Sequence, residues 1–102
     1  MESISIVAPV KKPEDIEVFS KASKCRDFYV YHKKFLNNNF EYVNEFVDMA
    51  KRCNCSIYIN FKHDITEENL PEIKKLLKFL KTTGITGIFV NSFAILEAIK
   101  VF

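Results

Sequence analysis

Residues 56–91 read SIYINFKHDITEENLPEIKKLLKFLKTTGITGIFVN and carry one complete strand–helix–strand unit. Ser56-Ile57-Tyr58-Ile59-Asn60-Phe61 is short and rich in β-branched and aromatic residues, which suit a pleated, buried surface. Asn69-Leu70-Pro71-Glu72 has the marks of a helix start: an asparagine, a glutamate three residues on and a proline in the first turn. Leu70, Ile73, Leu76, Leu77 and Leu80 then form an apolar stripe, with Lys74, Lys75, Lys78 and Lys81 on the wet face. Gly84 stands where a helix commonly ends in a left-handed residue. Gly87-Ile88-Phe89-Val90-Asn91 reads as the next strand, and Ser92 suits the cap of a last helix over Phe93 to Lys100.

The same unit recurs upstream. Ile4-Ser5-Ile6-Val7-Ala8 reads as a buried strand that stops at Pro9. Pro13 opens a helix with Glu14 and Asp15 at its positive end and Ile16, Phe19 and Ala22 at helical spacing. Phe28-Tyr29-Val30-Tyr31 reads as the second strand. Asn38 with Glu41 matches a capping box for a helix whose stripe is Phe40, Val43, Phe46, Val47 and Ala50. The order is thus four consecutive βα units in one domain, 1–102, and alternation of this kind gives a parallel sheet.

The chain has 102 residues, a formal net charge of +2 and 48% hydrophobic residues, ordinary for one globular domain. Its pI of 8.4 is short of the value above about 9 that marks nucleic-acid-binding domains, which argues against a DNA partner. No run approaches the roughly 18 apolar residues of a membrane span, and the start has no signal-peptide pattern, so a cytoplasmic protein is expected. The three cysteines, Cys25, Cys53 and Cys55, read as reduced thiols. Cys53-Asn54-Cys55 could be half a metal or cluster site, but no second pair stands at ligand spacing, so neither metal nor cofactor is expected.

If the strands pair in chain order, right-handed crossovers put every helix on one face and leave the other bare. The strands read as apolar on both sides: Ile57 and Ile59 against Tyr58, Ile88 and Val90 against Phe89. A bare apolar face in water is rarely tolerated. Two arrangements remove it. One is half of a TIM-like (βα)8 barrel completed by four more units, since a full barrel takes about 250 residues. The other is a flavodoxin-like sheet with reversed strand order and helices on both faces. The half-barrel is the expected fold, with a homo-oligomer or a partner supplying the other half. With two glycines in the chain, neither glycine-rich phosphate signature is present.

Several pieces resemble the collagenase-like peptidases (peptidase family U-32). They are Ile6-Val7-Ala8-Pro9, Asp27-Phe28-Tyr29-Val30-Tyr31, Ile57-Tyr58-Ile59-Asn60, the run from Leu76 to Ile85 leading into Gly87-Ile88-Phe89-Val90-Asn91, and Ile95-Leu96-Glu97-Ala98-Ile99. The resemblance spans nearly the whole chain and implies the N-terminal part of a TIM-barrel-like core. It implies a hydrolase or related enzyme with a peptide or RNA substrate. Val10-Lys11 stands where the family has Ala-Gly, and His32-Lys33-Lys34 where it has a glycine-rich turn. The family's cysteine-containing signature lies downstream of the matched region, so the chain is expected to be catalytically incomplete alone. The alternative is a non-catalytic binding or assembly module.

Barrel chemistry sits at the C-terminal ends of the strands and in the loops that follow. Pro9, His32, Asn60 and Asn91 fall there by register, and His32, Asn60, Asn91, Lys33 and Lys62 are the candidate substrate-binding residues. His32 could act as a base or phosphate ligand near neutral pH, or simply be solvated. Asn60 and Asn91 could orient a substrate through their amides, or pair with loop backbone. Lys11, Lys33, Lys34 and Lys62 could attract an anion, or form a wet surface. His63-Asp64 reads as a surface turn, and no catalytic constellation is legible.

Overall fold

The computed structural model describes residues 6–61 and 68–90. Asn91, Lys62, His63-Asp64 and the helix expected over Phe93 to Lys100 lie outside the described residues. The elements in order are β1 (Val7–Pro9), α1 (Pro13–Ala22), β2 (Asp27–Tyr31), a 3-10 turn (His32–Phe35), α2 (Tyr42–Arg52), β3 (Ser56–Phe61), α3 (Leu70–Leu80) and β4 (Gly87–Val90). This is an α/β fold with one four-stranded, all-parallel sheet and three α-helices among the described residues.

The sheet order is β1-β2-β3-β4. The reversed order of a flavodoxin-like sheet is therefore overturned. One hydrophobic core forms, and it lies on one side of the sheet. Phe28, Val30, Ile57, Ile59 and Phe61 are fully buried there against Ile16 of α1, Val43, Phe46, Val47 and Ala50 of α2, and Ile73, Leu76, Leu77 and Leu80 of α3. Each such side chain contributes about 1.5–3 kcal/mol by leaving water. Burial alternates strictly along β2 and β3, with every second residue in the core.

The first strand includes Pro9 rather than stopping before it. The Val10 N–H donates to the Tyr29 carbonyl at 2.9 Å, so Pro9, one residue back, turns its nitrogen away from β2. A residue without an N–H is tolerated on such a free edge.

The helix starts differ from the expected capping boxes. Asp15 reaches back to accept from the backbone N–H groups of Lys11 and Lys12 at 2.9 and 3.2 Å, which closes the first turn of α1. Asn38 does not cap α2. Asn37 and Asn38 are left-handed (φ 59° and 65°), whereas a cap residue is extended, and the helix starts later, at Tyr42. Asn69 precedes α3, but its side chain makes no cap hydrogen bond. Glu72 is engaged elsewhere: its carboxylate accepts from the Asn37 N–H and ties α3 to the loop after β2.

The helix ends also differ. Gly84 is not left-handed. Thr82 and Thr83 close the end of α3 by donating to the Phe79 and Leu80 carbonyls. Gly84 instead makes room for α2, since a Cβ there would come within 3.1 Å of Lys51 and Val47 side-chain atoms. The left-handed helix end is at Asn54 (φ 57°). The Asn54 N–H donates to Lys51 and the Cys55 N–H to Ala50, the paired bonds of a Schellman motif. Asn54→Ala is expected to cost about 1 kcal/mol, because a side chain with no local hydrogen bond resists the left-handed region. Asn54→Gly is expected to match or exceed the parent, and urea melts of the two variants check this.

Candidate functional site: the uncovered sheet face

Alternation that buries one set of strand residues places the other set on the opposite face. By register, Tyr29 of β2, Tyr58 of β3 and Gly87 of β4 form one row, continued by Pro9 of β1. Tyr31, Asn60 and Phe89 form the next row, toward the C-terminal ends of the strands. Asp27 and Ser56 lie at the other end. None of these residues belongs to the hydrophobic core. The face is thus aromatic with polar ends rather than uniformly apolar, a correction to the expectation from sequence.

Its rings meet one another. Tyr58 and Phe89 stack at 5.0 Å with planes 17° apart. Tyr29 meets Tyr31 edge-on at 5.5 Å and Phe89 edge-on at 6.1 Å. Gly87 lets Tyr58 lie flat across β4, since a Cβ there would come within 3.2 Å of that ring. Phe89 keeps 37% of its surface exposed, and the tyrosines are half-buried. The result is an aromatic surface across three strands with no helix above it among the described residues.

The predicted site residues separate. Asn60 stands on this face between Tyr31 and Phe89. His32 does not join it. The alternation of Phe28 and Val30 carries through to His32, which turns to the helix side, where it is buried and stacks on Phe61 at 5.3 Å. That placement removes the reading of His32 as a solvated loop residue. Lys11, Lys33 and Lys34 are exposed in the first two loops at the C-terminal ends of the strands. The four aromatic residues were not among the predicted site residues, although Tyr29 and Tyr31 alternate with Phe28 and Val30 in the sequence.

The cysteines lie at the opposite, N-terminal end of the strands. Cys25 Sγ donates to the Ile6 and Asp27 carbonyls, and Cys55 Sγ to the Cys53 carbonyl. Burial, with a lesser contribution from Cys53, pushes the Cys55 thiol up and so keeps it from acting as a ready thiolate. Among the described residues no group of three or more His, Cys, Asp or Glu could hold a metal ion. Arg26 Nη1 donates to the Ser20, Ser23 and Cys25 carbonyls at 2.9, 3.3 and 2.8 Å, a cationic cap on the end of α1. No described helix is long and apolar enough to cross a membrane. Comparison with protein-family models, curated proteins and solved structures finds no match to this chain.

A hydrogen bond with Tyr31, and secondarily burial, raises the Tyr29 phenol above its ordinary value near 10. A raised phenol contributes stability that is present below the unfolded value and is lost as pH climbs through the folded one. Tyr31→Phe is therefore expected to bring Tyr29 ionisation down toward its ordinary range. Tyr29→Phe is expected to remove one late-titrating phenol from the alkaline absorbance titration at long ultraviolet wavelength. A Tyr31→Phe titration identical to the parent would show that the two hydroxyls do not interact.

Proposed function

We propose that this chain is a non-catalytic assembly module: half of a (βα)8-type barrel whose uncovered aromatic face docks on another polypeptide surface. The observation that supports this reading is the one-sided core. One stripe of each of three helices and one sheet face pack into a buried core, while Tyr29, Tyr31, Tyr58 and Phe89 stand outside it on a parallel sheet. Parallel sheets occur almost only with both faces covered, because their connections and their apolar strands demand it. Aromatic rings with one wet edge are also the residues enriched at protein interfaces.

The likeness to the collagenase-like peptidases would make the chain the N-terminal half of such a barrel, with Asn60 and Lys33 near its mouth. The docking function does not depend on that likeness. Its support is the strand order and the residues that each face carries.

The test is whether the open face belongs to the chain's own stabilising core. At low micromolar concentration, Phe89→Asp is expected to keep a cooperative melt and to cost roughly 1 kcal/mol through its lost ring contacts with Tyr58 and Tyr29. Ile59→Asp, in the covered face, is expected to abolish folding, since it buries an unpaired charge. Equal collapse of both variants would end the proposal.

A further inference from the structure

We infer that Cys53 and Cys55 form a thiol–disulfide exchange site, a dithiol at the end of α2 that a small anionic disulfide such as glutathione disulfide converts to an internal disulfide. The site is separate from the open sheet face and does not rest on the assembly reading.

The turn between α2 and β3 spaces the two cysteines for a bond. Asn54, between them, is left-handed (φ 57°). A residue of that conformation spaces its neighbours as a helix does, with Cα atoms about 5.4 Å apart by the helical rise and radius. Disulfides join Cα atoms about 4.4–6.8 Å apart. The Asn54 N–H bond to Lys51, at 3.2 Å, and the Cys55 N–H bond to Ala50, at 2.8 Å, hold the turn in this form. The Cys55 sulfur is folded back along it, 3.4 Å from the Cys53 carbonyl oxygen.

Strand parity puts the pair on one side of the sheet and the third cysteine on the other. Cys55 shares the alternation of buried Ile57 and so turns to the helix side. Arg26 takes the same side, where its guanidinium donates to the Ser20 carbonyl at 2.9 Å, and its own carbonyl accepts from the Ser56 N–H. Cys25 has the opposite parity, and its sulfur donates to the Ile6 and Asp27 carbonyls at 3.5 and 3.3 Å. Cys53 and Cys55 are therefore the pair.

Cys53 supplies the entry. It lines a groove of about 620 Å³ between α1 and α2, together with Lys21, Arg26 and Arg52. Glu17 is the one carboxylate among the lining residues, and it pairs with Lys21 at 4.0 Å. The surplus positive charge draws an anionic disulfide toward the Cys53 sulfur.

The exchange balances. The Cys53 thiolate attacks one sulfur of glutathione disulfide, whose S–S bond breaks to leave a mixed disulfide on Cys53 and one glutathione thiolate. Cys55 then loses its proton and attacks the Cys53 sulfur, expelling the second glutathione thiolate. The protein gives up two electrons and two protons, and one disulfide becomes two glutathione thiols. Burial holds the Cys55 thiol protonated, so the first attack falls to Cys53.

The experiment equilibrates the full chain with stepped ratios of glutathione to glutathione disulfide, alkylates the free thiols and weighs the tryptic peptides. The expected product is an internal disulfide in the peptide that begins at Cys53, with Cys25 alkylated. Its equilibrium constant should be at least about tenfold larger in the folded chain than in concentrated urea, because the fold presets the spacing. Cys55→Ser should stop at the mixed disulfide on Cys53. Arg52→Glu should slow the reaction with glutathione disulfide at least about threefold and leave that with neutral hydroxyethyl disulfide unchanged. Equal constants in folded and unfolded chains, a disulfide that includes Cys25, or a parent chain that never closes the internal disulfide would overturn the site. An Arg52→Glu chain as fast as the parent with glutathione disulfide would overturn the groove as the entry.

Discussion

Parallel strands laid side by side in chain order force every right-handed crossover to the same side of the sheet. In this protein that constraint has its full effect, because β1, β2, β3 and β4 are neighbours in that order. The helices cannot reach the other face by any short connection. Among the described residues, the buried core is therefore one layer of side chains, from Ile16 through Phe28, Ile57 and Ile59 to Ile73 and Leu76. The opposite face carries the tyrosines, one phenylalanine, the polar residues Asp27, Ser56 and Asn60, and Val7, Pro9 and Gly87.

The elements themselves were legible. Period-3.6 stripes at Val43, Phe46, Val47 and Ala50, and at Ile73, Leu76, Leu77 and Leu80, are buried as their spacing predicts. Residues 56–61 form a strand because β-branched and aromatic side chains fit a pleat. The caps were less legible, for a physical reason. Asparagine and glutamate at capping spacing have several local partners available. Here Asn38 went to a left-handed turn and Glu72 to a neighbouring loop. Asn54 and Gly84 show the same ambiguity: asparagine took the left-handed helix end, and glycine served a close approach between elements.

The site was half legible. Asn60 lies on the open face because it alternates with Ile59 and Phe61, and the same parity, counted from Val30, sends His32 into the core. Both placements follow from a period of two, extended one residue past the strand end. The aromatic face was readable by that count as well. What hid it was treating Tyr58 and Phe89 as generic apolar residues, which erases the difference between a ring that must be buried and one that tolerates a wet edge. Strand order, by contrast, is set by which strands pair, and no local pattern encodes it.

That difference also bears on how a sheet face with no helix above it among the described residues can exist on a folded chain. An aliphatic wall of the same size would be a non-specific aggregation surface. Tyr29 and Tyr31 instead meet edge-on, and Tyr58 is held flat by Phe89 and the notch at Gly87. The free edge of β1 is blunted by Pro9, which offers no donor, and is followed by the charged pair Lys11 and Lys12. Such devices suppress indiscriminate edge pairing. A surface that is ordered, aromatic and protected at its edge is suited to selective assembly, and the strand order that exposes it is the same feature that builds the core behind it.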